Sequence, residues 1–322
     1  MKRLITAVLT AFAVTASGAA GAQQWPAKPV RIVVPWPAGG SADMVGRLLA
    51  DQLGNAFRQS FVVENRAGAS GMVGSAAVAH SEADGYTFLI SGIPSHVVAP
   101  ASSPNPGFDP VKDFTHIAYI GGSPIVIVAH TTLGVRSLPD LLAVAKSRTD
   151  PIGYVSAGVG SLGNLVAEVW AAGENIRLAH IPYKGGAQAV TDLIAGHVKL
   201  GSMTWTTASA HIRAGTVVPL VVTSSRRMPE FPEVPTFKEM GRADLTTTTW
   251  WAFSGPAKLP PEIVQKVNHE IVKALDLANI RQKLDQEAIV TEQMSPEEFT
   301  AFVESEVKKW GPVAKIALAG SQ

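Results

Sequence analysis

Apolar positions fall into short β-branched runs with stretches of helical spacing between them. VRIVVPW (30–36), FVVEN (61–65), TFLISG (87–92), PIVIVAH (124–130), IGYVSAG (152–158), RLAHIPY (177–183) and VVPLVVTS (217–224) are expected as strands. SADMVGRLLADQL (41–53), SLPDLLAVAK (137–146), LGNLVAEVWAAG (162–173) and AQAVTDLIAG (187–196) are expected as helices. Strand and helix in alternation predict an α/β fold with mostly parallel sheets flanked by helices.

The alternation comes in two series, Val30–Gly92 and Pro124–Ser224. They are joined by the turn-rich NPGFDP (105–110) and the run HIAYIGGSP (116–124), with a crossover expected near Gly121 and Gly122. The Pro-rich Pro229–Gly241 leads back to a strand in TWWAFSGPAKLPPE (249–262). Pro260 and Pro261 suit a first helical turn, after which Ile263, Val264, Val267, Ile271 and Leu275 keep helical spacing. Ser295, Pro296 and Glu298 read as a capping box opening a last helix with Phe299, Phe302, Val303 and Trp310. The organisation expected is a hinged pair of lobes, residues 23–122 plus 248–322 and residues 123–247, behind a leader of residues 1–22.

The leader follows from Lys2 and Arg3, the apolar run Leu4–Val14 and an A-x-A site at Ala20-Gly21-Ala22. It predicts an exported protein, and no later segment approaches the roughly 20 apolar residues of a membrane helix. Losing Lys2 and Arg3 turns 27 basic against 26 acidic residues into 25 against 26, which argues against nucleic acid as a partner. There is no Cys, so thiolate chemistry, disulfides and a lipid-anchored cysteine are excluded.

The chemistry-bearing signals are three Gly-rich strand-to-helix loops: Trp36–Asp43, Ser156–Asn164 and Pro182–Ala187. Helix starts present unpaired N–H groups to such loops, a setting for an anion, and ligands of α/β sheets sit at the carboxyl ends of strands. In the first loop Trp36, Pro37, Ala38, Gly39, Gly40, Ser41 and Asp43 are candidate ligand residues, Trp36 either stacking on the ligand or covering an edge and Asp43 either meeting the ligand or serving the helix dipole. Ser156, Ala157, Gly158, Val159, Gly160, Ser161 and Asn164 are candidates in the second, where Ser161 could equally be an N-cap. Tyr183 and Lys184 stand in the third. Ser91, Ser95 and His96 follow a strand end and complete the set, with Met203 and Thr204 at the end of HVKLGSMTW.

Gly158, Gly160 and Gly163 match G-x-G-x-x-G, but the following strand zone, RLAHIPYKG, has no acid for a ribose, so no dinucleotide is expected. No G-x-S-x-G, Walker A or H-E-x-x-H occurs, and the eight His never fall at ligand spacing. Neither a cofactor nor a metal is expected. An exported hydrolase remains the alternative, needing Ser41 or Ser161 to meet His96.

In combination, WPAKPVRIVVPWPAGGSAD, VVENRAGASGMVGSAAVAHSEADGYTFLISG, VSAGVGS, IPYKGGAQAVTDLIAGHV and VVTSSRRMPEFPEVPTFKEMG followed by WWAFSGPAKLPPEIVQKVN resemble the Bug family of periplasmic solute-binding proteins, the receptors of tripartite tricarboxylate transporters. The resemblance implies a two-lobed Venus-flytrap fold, periplasmic location in a Gram-negative bacterium, a monomer, and capture of a small organic carboxylate by lobe closure. Loops Trp36–Asp43 and Ser156–Ser161 would hold one carboxylate through backbone groups and water. A membrane permease is the implied partner, with presentation of ligand to a sensor as the other option. Asn164 stands where members usually carry His, and Lys199 and Met203 stand at positions often acidic. The missing acid points to a dicarboxylate, tricarboxylate or aromatic acid rather than an amino acid, with Met203 or Trp205 offering apolar contact.

Overall fold

The computed structural model describes residues 25–183, 185–286 and 289–319; the leader (1–22) and Lys184 lie outside the described residues. Nine strands form one sheet in the order β2-β1-β3-β9-β4-β7-β5-β6, with β8 also paired to β4. The strands are β1 (Val30–Val34), β2 (Phe61–Asn65), β3 (Thr87–Gly92), β4 (Phe114–His130), β5 (Ile152–Ser156), β6 (Leu178–Pro182), β7 (Leu200–Thr204), β8 (Val217–Val222) and β9 (Thr248–Pro256). β1 pairs in parallel with β2 and β3, and β5 in parallel with β6 and β7, as the strand-helix alternation predicts. The centre is antiparallel, because β4 runs against β7, β8 and β9.

β4 carries the architecture. Its residues Phe114–Pro124 pair with β9 and its residues Ile125–His130 with β7 and β8, so one 17-residue strand serves both halves of the sheet. The Gly-Gly-Ser-Pro within it reads as a breaker, yet it continues the strand. Gly121 has φ +153°, and a Cβ there would stand 2.5 Å from the Val290 carbonyl oxygen. Gly122 and Val290 exchange backbone bonds of 3.1 and 3.0 Å, so the missing side chains admit a third passage of the chain beside β4.

The helices are α1 (Ser41–Phe57), α2 (Met72–Ala79), α3 (Ala99–Ser102), α4 (Leu138–Ser147), α5 (Leu162–Glu174), α6 (Gly186–Ile194), α7 (Trp205–Arg213), α8 (Pro261–Leu275), α9 (Ala278–Gln286) and α10 (Pro296–Ala319). α10 opens with the reciprocal capping box: Glu298 N–H donates to Ser295 Oγ (3.1 Å) and Ser295 N–H to Glu298 Oε2 (2.8 Å). No described helix is long and apolar enough to cross a membrane.

Four apolar clusters hold these layers together. One gathers β1, β3, α1 and α8, with Ile32, Leu53, Phe88 and Ile271 at its centre. A second lies under α6 and α7, and a small one surrounds Phe108 and Phe114. The largest joins Leu141, Tyr154 and Trp170 to Ile93 and Val97 and to Phe299, Val303 and Trp310 of α10. The last helix therefore packs against both halves of the chain. Apolar burial at about 25 cal/mol per Å² makes these clusters the main stabilising term.

Candidate functional site

Strand ends and loops from the two halves face one another across a cavity of about 630 Å³, within the range of small-molecule sites. Trp36, Met72, Pro94, Val98 and Ala99 line it from one side and Ala157, Val159, Gly160, Ser161 and Gly185 from the other. Ser70, Ser102 and Ser103 also line it. Among the described residues, no Asp, Glu, Lys, Arg or His lines it.

The first loop is shaped from beneath. Asp43 is buried and both its oxygens are occupied: Oδ2 accepts from the Gly39 N–H (3.0 Å) and from Arg47 Nε (3.0 Å), while Oδ1 accepts from Asn65 Nδ2 (2.8 Å). The same Asn65 amide donates to the Trp36 carbonyl at 3.1 Å. Hydrogen bonding to the Arg47 guanidinium, helped by Gly39 and Asn65, overrides burial and lowers the Asp43 pKa to about 2. Asp43 thereby fixes the loop through Gly39, Arg47 and Asn65, a role that neither of its two readings named. Pro37, Ala38, Gly39 and Gly40 are exposed on that loop, followed by Ser41, and Trp36 alone of the set lines the cavity.

The second loop rests on a buried polar chain. Ser161 Oγ donates to Ser156 Oγ (3.2 Å) and accepts from the Asn164 N–H (3.3 Å), which makes it an N-cap as well as a wall residue. Ser156 is fully buried, bonds His180 Nε2 at 2.7 Å and accepts from the Gly158 N–H. Asn164 Oδ1 accepts from the Gly160 N–H and its amide donates to the Tyr154 hydroxyl, which in turn donates to Glu168. Gly158 has φ +133°, and a Cβ would meet the Tyr183 carbonyl oxygen at 2.8 Å. Ser156, Gly158 and Asn164 thus hold the loop, and Ala157, Val159, Gly160 and Ser161 face the cavity.

Several expected residues lie elsewhere. Met203 and Trp205 are core residues, 2% and 1% exposed, packed with Val126 and Phe231 and away from the cavity, whose apolar lining includes Met72, Val98 and Val159. Lys199 bonds Thr132 at the end of β4, next to the start of β7 and away from the cavity. Thr204 bonds Thr206 and Thr207, Tyr183 donates to Asp192, and Ser91 bonds Ser254 at 2.9 Å. Ser95 donates to the Gly92 carbonyl from full burial. His96 is fully buried against Phe114, ring centroids 4.5 Å apart, and meets no serine, which removes the Ser41 or Ser161 pairing a hydrolase would need. The pair Ser156–His180 is covered by its loop and no carboxylate bonds His180 among the described residues.

The wall residues not foreseen are chiefly Ala69, Ser70, Met72 and the segment 94–104. Gly68, Ala69, Ser70 and Gly71 have φ of 144°, 46°, 54° and 92°, four successive left-handed residues that turn NRAGASG toward the cavity. Such backbone concentrates at functional sites. A run of small residues between strand and helix was the available signal. Pro94–Val98 forms a single π-helical turn ahead of α3, another irregularity common at sites.

The model of a family described as tripartite tricarboxylate transporter family receptor matches residues 45–318. Protein BugT of Bordetella pertussis is 32% identical over 318 residues, 98% of this chain and 97% of its own length. Among solved structures, R. palustris Rpa4515 with adipate superposes with TM-score 0.80 at 33% identity, covering 91% of this chain and 98% of that one. MatC (Rpa3494) from Rhodopseudomonas palustris with bound malate gives TM-score 0.78 at 27% identity, covering 90% and 100%.

Proposed function

The chain belongs to the tripartite tricarboxylate transporter receptor family, periplasmic solute-binding proteins for carboxylates, and from that premise we propose that it captures a carboxylate lacking an ammonium group and hands it to a membrane permease. The observation that carries this reading is the neutral wall: no described side chain lining the cavity is ionised. An anion is then held by N–H groups, hydroxyls and water, with the N-termini of α5 and α6 aimed at it from Ser161 and Gly185. An ammonium group would lie there without a counter-charge, a costly arrangement once water is displaced.

The body of the ligand meets Trp36, Met72, Val98 and Val159, which suits the methylenes of a dicarboxylate or an aromatic ring. Adipate and malate, held by the two R. palustris proteins, are both dicarboxylates without an amine. Residues 23–122 with 248–322 and residues 123–247 act as the two lobes, and binding to both faces shifts the population toward the closed form. A monomer, exported on the leader 1–22 and without enzymatic turnover, completes the reading.

A thermal-shift panel tests it, because a ligand bound only by the folded chain raises the midpoint. A saturable rise with dicarboxylates, tricarboxylates or aromatic acids, without their consumption, is the expected result. Stabilisation by aspartate or glutamate with none from plain carboxylates overturns the proposal.

A further inference from the structure

A second cavity, of about 680 Å³, opens behind the segment that walls the first. Val97, Pro100, Ala101 and Phe108 form one side of it, and Val307 and Pro312 of α10 the other. Residues 94–106 therefore stand between two chambers. Pro94, Val98, Ala99 and Ser102–Pro104 face the first, while Val97, Pro100, Ala101 and Pro106 face the second.

Charge at the second chamber is mainly positive. Lys308 and Lys315, seven residues apart on one face of α10, line it, and neither has a hydrogen bond or ion pair among the described residues. Their neighbour Lys309 is occupied, donating to the Thr246 carbonyl and standing 5.0 Å over the Trp310 ring. The one carboxylate at the chamber, Asp109, is taken up by the Val111 and Lys112 N–H groups and by the Lys112 ammonium at 3.7 Å. An apolar recess of this volume with two unpaired cations at its mouth is complementary to a small molecule having a hydrocarbon body and one anionic head.

We propose that this recess is a second ligand site, for a monocarboxylate with an apolar body, distinct from the interlobe cleft. Lysine stems cover the hydrocarbon while their ammonium groups meet the carboxylate. The concavity favours a small molecule over a protein segment, which would bury a larger and flatter area. This site does not depend on what the first cavity binds.

Gly311 supplies the test. It is buried at the recess, has no left-handed backbone, and a Cβ there would meet only the Ala101 Cβ, at 3.8 Å. Gly311→Ala is thus accommodated, whereas Gly311→Leu fills the recess and favours the helix. Titration of the isotope-labelled full chain with octanoate, followed by amide NMR, should give saturable shifts at Ala101, Val307 and Gly311. Gly311→Leu should abolish them, Gly311→Ala should keep them, and Lys308→Glu with Lys315→Glu should weaken affinity at least tenfold. Shifts confined to Trp36 and Ser161, no saturable shift anywhere, or shifts at the recess that survive Gly311→Leu would each overturn the proposal.

Discussion

The Thr223 hydroxyl donates to the Thr247 carbonyl at 2.6 Å, and the Thr247 N–H returns to the Thr223 carbonyl at 2.9 Å. That hydroxyl also accepts from the Ile125 N–H at 2.8 Å, and the Thr223 N–H donates to the Ile125 carbonyl. One fully buried residue so ties the middle of β4 to the point where the chain returns toward β9.

Thr223→Val keeps the shape and removes the hydroxyl, stranding a buried N–H and a buried carbonyl. Urea unfolding should show a loss of about 2 kcal/mol, and Thr223→Ser should recover most of it. A Val variant as stable as the parent would show that the crossings do not need this bridge.

Asp43→Asn leaves the bulk in place but puts an N–H where Gly39 or Arg47 now donates. The loop at Trp36 should loosen, stability should drop by about 1–3 kcal/mol, and ligand affinity should fall several-fold, as calorimetry would show. Since the Asp43 pKa is lowered to about 2, its contribution is present above the ordinary carboxylate range and is lost as pH falls from about 4 through 2.

Ser161→Asp separates capping from recognition. Aspartate caps a helix as well as serine does but cannot donate to Ser156 Oγ, so the midpoint should fall by only a few degrees, about the cost of one hydrogen bond. A negative charge then faces the cavity, and affinity for any carboxylate should fall at least a hundredfold, or about 2.7 kcal/mol. Undiminished carboxylate binding would exclude this wall as the anion site.

His96 and His116 are buried with ring centroids 6.0 Å apart, and among the described residues neither nitrogen of His96 has a partner. Burial holds His116 down at about 4 and His96 well below the ordinary imidazole value, with His116 adding to the effect on His96. The unfolded chain takes up these protons near pH 6.5 and the folded chain refuses them. Stability should therefore be complete above about 6.5 and fall as pH drops toward 4, by about 3 kcal/mol for His116 alone. Denaturation midpoints between pH 7.5 and 4.5 would trace this limb, and His96→Phe, placing a ring among Phe108 and Phe114, should make it shallower while leaving the part due to His116.

What was legible in the sequence is what local chemistry determines. β1, β2, β3, β5 and β8 carry β-branched residues in short runs, β6 (LAHIP) is marked by its place in the strand-helix alternation, and the Ser295–Glu298 cap has the residue types its bonds require. The sequence pattern splits β4 in two because Gly121, Gly122 and Pro124 look like breakers, whereas the two glycines give clearance for Val290 and Thr248, which only the folded chain brings near. The site divided in the same way. Ser161 and Gly160 sit on a strand-to-helix turn that pattern alone identifies. Ala69 and Ser70 reach the wall through left-handed backbone that neither residue type announces, and a place after a strand end does not tell that His96 is buried between two aromatic rings.

α10 has a mechanical consequence. Trp250 of β9 lies edge-on to Phe299 and Phe302 and donates to Glu306, while the same helix packs against Val97 on one side and on α5 on the other. Separating the halves would break the contact between α10 and α5 as well as bend two strands. A helix held to both halves would act as a strap on their separation, and a receptor so restrained would have less freedom to lose on capture.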